Sequence, residues 1–191
     1  MTSLTLVEGL PKYEKVNEAK AIAEALRTMK RGLDGRRERH LQIRSFTAKN
    51  KAHFMKLLER RTDYLHISAH GDRVNGETCL FITRNATITT EDIAKLKVKA
   101  KVVFMNACLT SRKDIVNAFF DAGKEETLYF IAPHQEVSFD EAFLVSLLFY
   151  RKAFLQRTSL EDSKQIFKAL EYAYKLKDIN TKYWFWQSNH V

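Results

Sequence analysis

The chain has 191 residues and a mass of 22.3 kDa, enough for one hydrophobic core and short for two, so a single domain over residues 1–191 is expected. With 45% apolar and 12% aromatic residues against 6 Gly and 2 Pro, collagen-like, low-complexity and disordered chains are excluded. A net charge of +9 places nucleic acid among the partners to be weighed.

In chain order, Val16 to Met29 sets Val16, Ala19, Ile22, Ala23, Leu26 and Met29 on one face at helical spacing. A turn at Gly32 and Gly35 follows, and Leu41 to Phe46 then alternates apolar and polar as a strand does. Asn50 to Arg60 predicts a second helix with Phe54, Leu57 and Leu58 inward. Tyr64 to Ala69 and Lys101 to Ala107 are mostly apolar runs, the pattern of strands covered on both faces. Between them, Cys79 to Ile82 predicts a small strand, and Thr90 a cap for a short helix through Ile93 and Leu96. Ile115 to Phe120 is helical up to Gly123, and Thr127 to Ala132 is a strand closed by Pro133.

Ser138-Phe139-Asp140-Glu141 is a capping box for a long helix over Ala142 to Leu155, and Ser159 to Asp162 is a weaker one before Lys164 to Leu176. Tyr183 to Trp186, aromatic on both sides, predicts a strand that joins the sheet late. Strands alternating with helices imply an α/β fold, a mostly parallel sheet with right-handed crossovers.

The start, MTSLTLVEGLPKYEK, has no basic segment followed by an apolar one, so a cytoplasmic protein is expected. The longest uncharged stretch of the C-terminal half, Ala142 to Tyr150, falls far short of the roughly 18 to 20 apolar residues of a membrane span. The densest basic cluster, Lys30, Arg31, Arg36, Arg37 and Arg39, lies in a Gly-containing stretch between two elements, and no zinc-finger, RNP-like or basic heptad pattern accompanies it. A solvated loop or a surface for an acidic protein explains it better than nucleic acid.

In open α/β sheets ligands bind beyond the carboxyl ends of the strands. His70 and Gly71 directly follow one apolar run, and Cys108 follows another. If those strands are parallel neighbours, imidazole and thiol project from the same edge, where the imidazole can take the thiol proton and leave a thiolate nucleophile. Gly71, lacking a Cβ, lets a carbonyl approach its N–H, which with the Cys108 N–H would form an oxyanion hole. Taken singly, a strand-end histidine is more often a polar cap and a cysteine more often packing.

The joint pattern, a strand ending in His70-Gly71 and, 38 residues beyond His70, another ending in Ala107-Cys108, resembles the caspase-like cysteine peptidases. It most resembles their CHAT branch, related to separase, through Leu65-His66-Ile67-Ser68-Ala69-His70-Gly71, Val102-Val103-Phe104-Met105-Asn106-Ala107-Cys108 and Phe130-Ile131-Ala132-Pro133 onward. The resemblance implies a caspase-like three-layer sandwich, a Cys108 nucleophile, His70 as base and acid, and hydrolysis of peptide bonds. It also implies a protein substrate, an activating partner or assembly, and a role like that of bacterial stress or defence effectors.

The segment Asn106-Ala107-Cys108-Leu109 departs from the Gln-Ala-Cys-Arg-Gly of caspases and the Asp-Ser-Cys of metacaspases. The resemblance implies that Asn106, two residues before the nucleophile, lies beside the pocket for the residue preceding the cut, so a neutral residue is expected there; alternatively its side chain ties down neighbouring backbone. Asp72 is the first candidate for a negative charge at the pocket, with Glu136 and Asp140 behind it, although Asp140 is already explained by its helix start. His66 and His70 with Cys79 or Cys108 lack a third ligand at zinc spacing, so no metal is expected, and no cofactor. Cys79 is expected in the core, His134, just after Pro133, is more commonly a plain loop histidine than one lining the cleft, and no phosphate-binding loop is present. The rival readings are a catalytically silent interaction module, a basic nucleic-acid-binding domain, and an esterase or transferase using the same thiolate.

Overall fold

A computed structural model describes residues 2–9, 17–32, 41–83, 86–124, 126–155, 168 and 183–188. The elements in chain order are β1 (Thr2–Gly9), α1 (Glu18–Gly32), β2 (Leu41–Thr47), α2 (Lys51–Leu58), β3 (Thr62–Val74), β4 (Glu77–Thr83) and β5 (Ala86–Ile88). They continue with α3 (Thr90–Ala94), β6 (Ala100–Asn106), α4 (Lys113–Gly123), β7 (Tyr129–Pro133), α5 (Phe139–Leu155) and β8 (Tyr183–Gln187). The main sheet runs β2-β1-β3-β6-β7-β8. Its strands are parallel except β8, which pairs antiparallel with β7 and so adds the late strand expected from Tyr183 to Trp186.

Strand alternation sends one set of side chains to each face, and helices cover both. Leu4, Leu6, Tyr64, Val102, Phe104, Tyr129 and Ile131 pack under α1, through Ile22 and Leu26, and under α5, through Val145, Phe149 and Tyr150. Val7, Leu65, Ile67, Val103, Met105 and Phe130 face the other way, against Phe54 and Leu58 of α2, Ile93 of α3, and Ile115 and Phe119 of α4. Each of these large side chains, fully removed from water, contributes about 1.5–3 kcal/mol. The result is a three-layer α/β sandwich.

Caps mark the helix starts. Asn17 accepts from the Lys20 N–H at 2.7 Å and Asn50 from the His53 N–H at 2.8 Å. The box expected at Ser138 is present: Glu141 accepts from the Ser138 N–H at 3.0 Å and Ser138 from the Glu141 N–H at 3.4 Å. The cap of α3 is Thr89, one residue before the Thr90 expected, in a reciprocal box with Asp92. The second box at Ser159 and the helix expected from Lys164 lie, Lys168 apart, outside the described residues, as do Arg36, Arg37 and Arg39. Among the described residues, no helix is long and apolar enough to cross a membrane.

Two features depart from the sequence reading. Thr2–Gly9 forms a strand, β1, central between β2 and β3, with Leu4 and Leu6 on one face and Val7 on the other. The strand expected to stop at Ala69 instead continues through His70 and Gly71 to Val74 and turns back as a hairpin with β4. Asn75 and Gly76, at φ 52° and 87°, form the turn, and positive φ at both central positions matches the twist of a two-residue hairpin.

Candidate active site

The strands β3 and β6 are parallel neighbours, paired up to Ser68 with Asn106. Beyond that pair β3 runs on into its hairpin and β6 ends at Asn106, so His70 and Cys108 both lie past the carboxyl end of the paired segment, on neighbouring stretches of chain. His70 is exposed and held within the β3–β4 hairpin, opposite Phe81. Cys108 is half-buried just past β6, in a turn where Leu109 has φ 59°. A left-handed leucine is uncommon and persists only where its surroundings fix it. They do so here: Thr110 Oγ1 donates to the Ala107 carbonyl at 2.6 Å, Ser111 N–H to Pro133 O at 3.0 Å, and Leu109 N–H to Gln135 O at 3.4 Å.

Gly71 packs directly on this turn. A Cβ added to it would lie 2.1 Å from the Cys108 carbonyl oxygen and 2.9 Å from Thr110 Cγ2, so only glycine fits. The backbones of Gly71 and Cys108 are therefore in contact across the edge. The Val137 N–H donates to Cys108 Sγ at 3.4 Å, and Sγ lies 3.7 Å from Val137 O, so the loop after β7 lies against the thiol. His134, on that loop, is exposed and stacks on Trp184 of β8 with ring centroids 4.2 Å apart.

One row beneath, on the face under α1 and α5, Glu8, Ser68 and Asn106 stand side by side on β1, β3 and β6. All three are buried. Asn106 Nδ2 donates to Glu18 of α1, to Ser146 Oγ at 2.7 Å and to Ala142 O at 3.2 Å, while Oδ1 accepts from Tyr183 OH at 2.8 Å. Both amide protons are thus engaged inside the protein; these contacts describe the tethering alternative weighed for this residue rather than a donor presented to substrate. Asp72 is exposed on the projecting hairpin, accepting from the Arg73 N–H at 2.7 Å. Asp140 sits in the first turn of α5, 2.5 Å from Ser138 Oγ, and Glu136 is exposed on the loop before it.

His66 is fully buried: Nδ1 meets Tyr150 OH at 3.0 Å, while Nε2 lies 3.1 Å from Ser68 Oγ and 3.4 Å from Glu18 Oε1. Cys79 is buried in β4, and burial pushes its thiol pKa up, as in a packed cysteine. Among the described residues, no group of three or more His, Cys, Asp or Glu side chains is arranged to hold a metal ion.

The sequence reading missed Glu8, Glu18 and Tyr183. Glu8 is 1% exposed; its Oε2 accepts from the Ala19 N–H at 2.6 Å, and its Oε1 has no hydrogen-bond partner among the described residues. Burial pushes its pKa up to about 7; the Ala19 N–H opposes this and the charge of Glu18 adds to it. The folded chain therefore keeps the Glu8 proton up to about pH 7, whereas the unfolded chain releases it near 4.5. Unfolding releases a proton in that window, so Glu8 makes stability fall as pH rises from 4.5 to 7 and contributes nothing further above it. Glu8→Gln is expected to remove this slope and to be more stable than wild type at pH 8 by about 3 kcal/mol. Urea unfolding of both proteins at pH 5 and pH 8 checks it; equal slopes in the two would contradict the assignment.

A mostly parallel sheet between helical layers, with His70-Gly71 and Ala107-Cys108 just beyond the parallel-paired segments of β3 and β6, defines a caspase-like α/β fold. Residues 3–128, which include His70 and Cys108, match the CHAT domain model, and the chain belongs to the CHAT domain family. The fold is similar to that of the Drosophila initiator caspase Dronc, with a TM-score of 0.60 at 14% identity over 99% of this chain and 80% of that one. It is also similar to the Saccharomyces cerevisiae separase–securin complex at 3.0 Å, with a TM-score of 0.51 and 14% identity over 90% of this chain but 11% of the matched one. No curated protein matches the sequence.

Proposed function

We propose that the chain is a cysteine endopeptidase, a single CHAT-type domain that cleaves a protein substrate through Cys108 and His70 without a cofactor. The observation that carries this reading is the packing of Gly71, next to His70, on the Cys108 carbonyl just beyond the parallel pair β3–β6. In this scheme the Cys108 thiolate attacks the scissile carbonyl, while the Gly71 and Cys108 N–H groups receive the developing oxyanion. His70 holds the thiol proton and passes it to the leaving amine. Water, deprotonated by the same imidazole, then hydrolyses the thioester and restores the thiol.

Control follows from the same geometry. The stretch between the two catalytic strands is taken up by the β3–β4 hairpin, β5 and α3, with no long unstructured linker among the described residues. The chain is expected to act uncut, regulated by a partner, by assembly or by a larger neighbour, and Val137 against the thiol is a contact such a regulator would have to move. An obligatory cut between Gly71 and Asn106 before any activity would contradict this.

A peptide-library digest with mass spectrometry of the cut sites, run beside Cys108→Ala, tests the function. Cuts made by wild type and absent from the variant are expected. A strong Lys or Arg preference before the cut, lost on substituting Asp72, Glu136 or Asp140, would assign the pocket's charge to that exposed residue. Equal digestion by the Cys108 variant would overturn the peptidase reading.

A further inference from the structure

We propose that Glu18 is a positioning residue: together with Tyr183 it forms a clasp on Asn106 that holds the end of β6, and so Cys108, against Gly71 beside His70. The inference rests on the reading of Cys108 as the nucleophile. The end of β6 is the least supported part of that strand. Its ladder with β7 stops at Phe104–Ile131, and its ladder with β3 stops at Ser68–Asn106. Two residues later the chain must present Cys108 through a turn with a left-handed leucine. On the β7 side, where the ladder has already ended, the Asn106 side chain adds the anchoring.

Four groups from three distant elements converge on that one amide: Glu18 of α1, Ala142 O and Ser146 of α5, and Tyr183 of β8. A primary amide has two protons and two lone pairs, so Asn106 is saturated on the donor side and fixed in orientation by the tyrosine hydroxyl on the other. Tyr183 can reach it because β8 runs antiparallel to β7, which puts Tyr183 opposite Pro133 at the carboxyl edge, where Asn106 also ends its strand.

Glu18 itself is 4% exposed. A buried acidic side chain is a poor way to add stability, since apolar residues of the same volume commonly do as well or better, whereas a satisfied polar network fixes one arrangement. Glu18 gains compensating contacts from Asn106 Nδ2 and from His66 Nε2 at 3.4 Å, and the other groups facing it are Glu8 on β1 and, beyond His66, Tyr150 on α5. The clasp thus ties α1, over one face of the sheet, and β8, at the sheet's edge, to the strand that leads to Cys108.

The test measures alkylation of Cys108 by iodoacetamide from pH 5 to 9, with the labelled residue read by mass spectrometry, in wild type, His70→Ala, Glu18→Gln, Glu18→Leu and Tyr183→Phe. Wild type and His70→Ala are expected to differ in profile. Glu18→Leu should move to the His70→Ala profile and lower kcat at least tenfold on the best library peptide with little change in KM. Glu18→Gln, which keeps an acceptor oxygen for Asn106, should stay within about threefold of wild type. Tyr183→Phe removes one hydroxyl and should fall between them, and it carries the test if Glu18→Leu does not fold.

Wild-type profiles in folded Glu18→Leu and in Tyr183→Phe would overturn the clasp while leaving the dyad intact. A wild-type profile that is itself unchanged by His70→Ala would instead overturn the dyad, and the clasp with it.

Discussion

Cys108→Ala and His70→Ala are each expected to lower kcat/KM on the best peptide by a factor of about 10⁴ or more, because nucleophile and proton relay act as a unit and loss of either removes most of the shared effect. The double variant should be little worse than either single one. Cys79→Ser should stay within a fewfold of wild type: Cys79 is buried in β4, pairs opposite Asp72 on the hairpin, and its raised pKa keeps it a thiol. Steady-state kinetics on a single fluorogenic peptide measure all four. Activity lost in Cys79→Ser but kept in Cys108→Ala would reverse the assignment.

Gly71→Ala is expected to be nearly as damaging although it removes no chemical group. The new methyl carbon would begin 2.1 Å from the Cys108 carbonyl oxygen, well inside van der Waals contact, and the obstructing atom is backbone, which cannot rotate away. Either β3 or the Cys108 turn must shift by about 1 Å. Misplacement on that scale costs a reaction on the order of 100-fold when the reacting groups must meet in line. The fold should survive, since Gly71 lies where β3 has left the central sheet for the hairpin. We therefore expect kcat reduced about 100-fold or more with a cooperative unfolding transition retained. Wild-type kcat in Gly71→Ala would show that the two backbones are not held together as described.

The neighbouring strands beneath the proposed site are legible because they depend on local signals. Two apolar runs ending in His70-Gly71 and Ala107-Cys108 imply neighbouring buried strands, and β3 and β6 pair in parallel up to Ser68–Asn106. The capping box at Ser138 was equally local, with both of its hydrogen bonds within three residues. Thr2–Gly9 carries only a short signal for its strand, Leu4, Leu6 and Glu8 alternating with Thr5 and Val7. The hairpin beyond His70 also had a signal, Asn75-Gly76, which favours two-residue turns; stopping the strand at Ala69 hid it.

The floor beneath the nucleophile could not be read in the same way. Asn106 meets Glu18 across 88 residues and Tyr183 across 77, and no periodicity records such a contact. Glu18 presents itself as an ordinary acidic first-turn residue of α1, favourable there for the helix dipole. Its second role exists only once α1 is laid over the sheet and its first turn comes down beside β6. Glu8 ends a mostly apolar run just as His70 and Cys108 do, so the strand-end rule that found those two would have found it had β1 been recognised.

The most direct test of the central claim is mass-spectrometric mapping of the protein after reaction with a peptidyl acyloxymethyl ketone carrying the preferred library sequence. The predicted result is one adduct per chain, on Cys108 in wild type and in Cys79→Ser, and greatly slowed in His70→Ala. An adduct on Cys79, or peptide cleavage that continues after Cys108 is fully modified, would contradict it.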